Sequence, residues 1–369
     1  MDGYICNSRP RRFGKSYAAN MLAAYYSKGC DSEKMFSGLE IAKASDFKRH
    51  LNKYDVIHID IQWFLANCGN ADEVVPFITK SVLDELREIY PGTLPAEGVR
   101  LPDALSRVKE RTGQKFIIII DEWDVLIRDG EMSETIQDEY INFLRGMFKG
   151  TEPTKYIQLA YLTGILPIKK EKAQSAVNNL DEFTMLQAFG LAPYIGFTEN
   201  EVKDLCKEYN RDFEKVKKWY DGYLLDGYQV YNPKAVVSLM TKGKFRSYWS
   251  ETGSYEVVVP LICMNFDGLK TAIIEMLSGA EVEVNTASFK NDPAKIQNRD
   301  DVITYLIHLG YLGYNEENGT AFVPNEEIRQ ELSTAVRNSH WNEMITFQQE
   351  SRKLLMATLT KDEKNGEKQ

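Results

Sequence analysis

"YICNSRPRRFGKSYAANMLAAYY", residues 4–26, is the stretch on which the fold turns. It reads as strand, loop, helix. Tyr4–Cys6 are strand-like, and Met21, Leu22 and Tyr25 recur at helical spacing, with Gly29 placed to end the helix. The loop ends like a phosphate-binding loop, whose usual form is G-x-x-x-x-G-K-[ST]. Gly14, Lys15 and Ser16 are in place, but Arg9 stands where the first glycine belongs. Such a loop turns backbone N–H groups inward around phosphates, and the next helix offers its N-terminus to negative charge. The expected cradle is Pro10, Arg11, Arg12, Phe13, Gly14, Lys15 and Ser16. Lys15 would reach the β- and γ-phosphates, and Ser16 would ligate Mg2+.

Arg9 removes an easy positive-φ position and a close backbone approach. Pro10 restricts Arg9 to extended conformations, so the loop is entered differently from the usual one. Either Arg11 or Arg12 contacts phosphates, charge replacing backbone, or the two form a solvated basic face beside an inactive loop. Arg9, Arg11, Arg12 and Lys15 make the densest basic patch of the first domain.

A nucleotide site also needs carboxylates from a second strand. "KFIIIIDEWD" (115–124) is the most strand-like run in the chain, apolar on both faces as a buried parallel strand must be. Asp121 would hold Mg2+, mostly through water, and Glu122 would polarise the attacking water as general base. Thr163, ending "LAYLTG", could aim its hydroxyl at the γ-phosphate or that water. It reads equally well as a β-branched residue at a strand end. Asp60, ending "VIHID", carries the same ambiguity, and Asp124 is a candidate cap for the following turn.

The rest of the chain frames these pieces. Strands are expected at Tyr4–Ser8, Asp55–Ile61, Phe116–Ile120 and Tyr156–Thr163, parallel and with their motif ends on one edge. Between them, a helix is expected with Val75, Ile78, Val82, Leu86 and Ile89 on one face, then shorter helices at 103–111 and 136–148. Strand and helix alternate to about residue 196, the sign of a parallel sheet with crossover helices. Beyond it helices dominate, and residues 300–334 read as helix, hairpin, helix, with the turn at Glu317-Asn318-Gly319. "WYDGY" (219–223) and "YNP" (231–233) read as aromatic packing at a helix end rather than as an aromatic cage.

Composition narrows the class. The chain has 369 residues, 43% hydrophobic and 27% charged, enough to bury a sizeable core. A net charge of -9 argues against a general nucleic-acid coat. The five cysteines are scattered without a CxxC, and the four histidines lie far apart, so buried free thiols are expected rather than a zinc site. No stretch is apolar for a membrane span, and a cytoplasmic setting is expected.

With these residues assembled, the sequence resembles the bacterial AAA-ATPase-like family, whose members are similar to archaeal-type P-loop ATPases. The matching stretches are "SRPRRFGKS", "IIIIDEWD", "YLTG", "VNNLDEFT", "IGFTENEV", "WYDGY", "VYNP", "YWSETG", "LGYLGY" and "VPNEEIR", in order from residue 8 to about residue 330. The resemblance implies a P-loop core of the additional-strand type, with Walker A and Walker B strands separated in one sheet. It implies ATP and Mg2+ as ligands, Lys15 and Ser16 as Walker A, Asp121 and Glu122 as Walker B, Thr163 as sensor-like, and Arg9 as ordinary for the family. It also implies domains at 1–197 (P-loop core), 198–295 (helical lid), 296–340 (winged-helix-like) and 341–369 (C-terminal helix and polar tail). Many members carry an N-terminal segment before the first strand and a C-terminal PD-(D/E)xK nuclease-like domain. This chain shows neither, so it reads as a truncated copy, and nuclease activity is not expected. The expected function is an ATPase whose slow cycle switches conformation, with a protein partner of unknown identity. The alternative is a scaffold or nucleic-acid-associated module with a degenerate site. Nucleic acid is disfavoured because the wing "YNEENG" is acidic.

Overall fold

The computed structural model describes residues 3–128, 132–168, 179–249 and 255–338. The expected tail at 341–369 lies outside these residues, and "VNNLDEFT" and "YWSETG" are described only in part. The chain divides into two compact units, Met1–Gln187 with Lys290–Lys295, and Ala188–Phe289 with Ile296–Gln369.

The first unit is built on a five-stranded sheet of β1 (Tyr4–Ser8), β2 (Asp55–Asp60), β3 (Phe116–Asp121), β4 (Ile157–Gly164) and β5 (Asp181–Phe183). The spatial order is β2-β3-β4-β1-β5, and every pairing is parallel. The carboxyl ends therefore share one edge. β4 lies between β1 and β3, so the strand that feeds the GKS loop and the strand that ends in Asp121 are separated. That is the additional-strand arrangement of a P-loop core.

All six residues of β3 are buried, as its continuous apolar run requires. One face of the sheet packs on the helices Val74–Ile89, Leu101–Thr112 and Glu134–Phe148, with Ile118, Ile120, Leu105 and Leu144 in that core. The other face, with Ile117, Ile119 and Tyr161, is covered by Ala19, Leu22 and Ala23 of the helix Lys15–Tyr26.

Helix boundaries follow local chemistry. Ser133 caps Glu134–Phe148 by accepting from Ile136 N, and Gly113 closes Leu101–Thr112 in the left-handed conformation. The expected face is broader by one edge and shorter at its end: Val74 joins Ile78, Val82, Leu83 and Leu86 in the core, Val75 packs half-buried against it, and Ile89 is 57% exposed. Met21 is likewise exposed, Tyr25 being the buried residue of that trio. The expected strand Asp55–Ile61 stops at Asp60, whose carboxylate caps the next helix by accepting from Trp63 N at 3.0 Å.

The second unit is mainly helical, with two small three-stranded sheets. Helices Glu199–Glu208, Phe213–Tyr220 and Pro233–Lys242 surround Val202, Val216, Tyr220, Tyr231, Val236 and Leu239. Thr198 and Glu201 form a capping box at the first of these. Helix Arg299–Leu309, the hairpin of Gly313–Asn315 with Thr320–Phe322, and helix Glu326–Asn338 form a winged-helix-like segment, with Val282–Glu283 as the third strand.

Two of the uncommon motifs meet here as packing. Gly222 of "WYDGY" has φ 109, and a Cβ on it would lie 2.1 Å from Pro324 O of "VPNEEIR". Asn325 Nδ2 donates to Asp221 O at 2.7 Å, and Tyr223 Oη donates to Gly310 O at 2.6 Å. Among the described residues no helix is long and apolar enough to cross a membrane.

Candidate nucleotide site

The GKS loop leaves the end of β1 and enters the helix Lys15–Tyr26 through Gly14, which has φ 87 and caps the helix in the left-handed conformation. No acidic residue occupies the first helical turn, and Gly14 has no side chain to cap it. Arg11 and Ser16 are exposed, Arg12 is half-buried at φ 70, and Phe13 is buried.

Lys15 is 4% exposed, and its Nζ donates to Pro10 O at 3.0 Å across the loop. Burial pulls its pKa below the usual lysine value, opposed by Glu122, Asp124 and Asp121 and reinforced by Arg128.

Arg9 faces the other way. It is 0% exposed, its N–H extends the β1–β4 ladder to Gly164 O at 3.0 Å, and its Nη1 donates to Ser8 O, Phe183 O and Thr184 O at 3.0, 3.3 and 3.1 Å. Burial lowers its pKa to about 10, which leaves the guanidinium charged at neutral pH. The basic surface patch expected at 9–15 is therefore not one patch. Arg9 and Lys15 are both inside, one tied to β5 and the other to the loop.

The carboxylates arrive from β3. Asp121 is 4% exposed, and its Oδ1 accepts the Glu122 N–H at 2.9 Å. Glu122 has φ 51, a left-handed backbone that non-glycine residues seldom adopt outside turns and functional sites. Its Oε2 accepts from Arg128 Nη2 at 2.6 Å.

Asp124 is fully buried and does not cap the following turn with its side chain. Its Oδ2 instead accepts from Ile165 N at 3.1 Å and Leu166 N at 2.7 Å, beyond the end of β4. Gly164 lies against this carboxylate, since a Cβ there would sit 2.5 Å from Asp124 Oδ1 and 2.7 Å from the Trp123 indole. The segment after β4 is tied further by Ser8 Oγ to Leu166 O at 2.8 Å.

Thr163 pairs with Asn7 across β1 and β4, is fully buried, and donates its hydroxyl to Asn7 O at 3.1 Å. It is thus beside the loop strand, with its hydroxyl engaged by backbone. The charges of Glu122, Asp124 and Asp121 reach Lys15. Arg128 is the residue that reading the sequence missed. Its spacing of four from Asp124 in "DVLIR" was the available signal.

Residues 2–173 match the AAA-ATPase-like family, described as predicted AAA-ATPase, which bears out the resemblance over that stretch. A protein of Azotobacter chroococcum mcd 1, described as "Uncharacterized protein in vnfD 5'region", is 26% identical over 259 residues, which are 69% of this chain and 48% of that protein. The chain thus spans about half the length of this curated relative. Among solved structures, the Aeropyrum pernix ORC2 protein, determined as ADPNP–ADP complexes, aligns over 91% of this chain and 88% of its own, with a TM-score of 0.40 and 13% identity.

Proposed function

We propose that this chain is a Mg2+-dependent P-loop ATPase that uses nucleotide binding and slow hydrolysis as a conformational switch. One observation supports the reading: β1, which feeds the GKS loop, and β3, which ends in Asp121, run parallel in one sheet with only β4 between them, so the loop and the acidic pair leave the same edge.

The roles follow from chemistry. The N–H groups of the loop from Pro10 to Ser16 are suited to wrap phosphates, Pro10 itself contributing only its carbonyl. Lys15 would exchange its contact to Pro10 O for a phosphate oxygen, a charge-assisted bond in place of a neutral one. Bound Mg2+ would screen the charge on the β- and γ-phosphates, with the Ser16 hydroxyl and Asp121 as its protein ligands, Asp121 mostly through water. Glu122 would take the proton from the attacking water as its oxygen bonds to the γ-phosphorus and the bond to the ADP oxygen breaks. Thr163 would hold β4 in register beside the loop, a sensor-like position.

The test separates binding from chemistry. Lys15→Ala should weaken Mg-ATP binding itself. Glu122→Gln keeps shape and removes the base, so ATP should still bind while hydrolysis falls by roughly 10²–10⁴-fold. Arg11→Ala should fall between the two if arginine stands in for lost backbone contact. Calorimetry and phosphate release measure these quantities. Wild type and Lys15→Ala binding Mg-ATP equally poorly would leave the loop without this function.

A further inference from the structure

Arg128 ends the short helix Val125–Arg128 that follows the Asp121-Glu122 pair, and it reaches back along the chain to two carboxylates. Its Nη2 lies 2.6 Å from Glu122 Oε2 and its Nε 2.8 Å from Asp124 Oδ2. Its side chain is 11% exposed, so these ion pairs are screened less than surface pairs. Asp124 is itself fixed from the far side by the N–H groups of Ile165 and Leu166. The contacts form one chain, from the segment after β4, through Asp124 and Arg128, to the carboxylate of Glu122.

Glu122 is a side chain that needs holding. Its backbone is left-handed and its side chain is 25% exposed. Fixing a free glutamate costs rotamer entropy. A hydrogen bond to a charged group is strong enough to offset that cost and select one orientation.

We propose that Arg128 is the positioning residue for Glu122. It holds Oε2 and leaves Oε1 to face the attacking water, so that the site of proton transfer is set by a chain of contacts anchored beyond β4. The inference rests on the ATPase reading. Arg128 touches no substrate in this scheme; it acts on the base through Glu122, and its charge also reaches Lys15, an influence that Arg128→Lys preserves.

A double-mutant cycle in the full chain tests it. Arg128→Lys and Arg128→Gln are measured alone and in the Glu122→Gln background, with kcat from phosphate release, Mg-ATP affinity from calorimetry and thermal melts for folding. Alone, each should lower kcat by roughly 10–100-fold, the scale of a misplaced catalytic group, with affinity retained. In the Glu122→Gln background they should cause no further loss, because the group they act through is gone. Losses that multiply in the double variants, or singles with unchanged or raised kcat, overturn the proposal. If Arg128→Gln does not fold with Asp124 left unpaired, Arg128→Lys carries the cycle, since it keeps the charge and loses the fork. A wild type with turnover no higher than Lys15→Ala overturns the ATPase reading and the proposal together. Multiplying losses on a wild type that does turn over overturn the proposal alone.

Discussion

Arg9 shows how far a residue can depart from a motif and still serve the same loop. Its guanidinium holds the carbonyls of Phe183 and Thr184, where a glycine would offer nothing. Arg9→Gly restores the usual phosphate-loop sequence, yet it should destabilise the protein. It removes the side-chain donor from the buried Thr184 carbonyl, which costs roughly 1–3 kcal/mol if that group is left unsatisfied. Thermal denaturation is the measurement, with ATP calorimetry beside it, and a glycine variant as stable as wild type would sink the idea. The GKS loop and the Asp-Glu pair were legible in the sequence because their chemistry is local and their spacing short. The direction of Arg9 was not. Pro10 constrains only the backbone of residue 9, and the side chain's partners lie 174 and 175 positions away. The Asp124 carboxylate was misjudged for the same reason, its acceptors' partners being set by tertiary approach of β4.

At the scale of elements, strongly patterned segments were readable and short ones were not. β3 announced itself by four consecutive isoleucines, and β4 lay within one residue of its expected bounds. The three-residue β5 carries too few residues to show a period, and it is fixed by pairing with β1. The strand order itself rested on the resemblance, because periodicity says which segments are strands and not which are neighbours. Where β4 ends, the fold leaves no room for a side chain. Gly164→Ala would push a methyl group into Asp124 and the Trp123 ring, both buried. The expected cost is roughly 1–3 kcal/mol of overpacking. Because the same contact sets Asp124, hydrolysis should fall along with the melting temperature. A variant that melts lower but turns over normally would separate Gly164 from the site.

For the whole molecule, the surface charge bears on partners. The tip of the winged-helix-like hairpin presents exposed Glu316 and Glu317, and the chain carries a net charge of -9. Duplex DNA should therefore bind no more tightly than the general non-specific range of about 10⁻⁴–10⁻⁶ M at physiological salt. Fluorescence anisotropy with increasing salt measures this, and nanomolar, steeply salt-sensitive binding would count against it. The course of the chain has another consequence. Lys290–Lys295 belongs to the same unit as Met1–Gln187, and Asn291 Nδ2 donates to Ile168 O at 2.8 Å. A gene fragment cut at codon 187 would encode that unit with one of its own pieces missing. Recombination between two such genes at a single crossover after codon 187 would give a hybrid whose Ile168 and Asn291 come from different parents. The unit is written in two places along the gene, so its two passages must be inherited together.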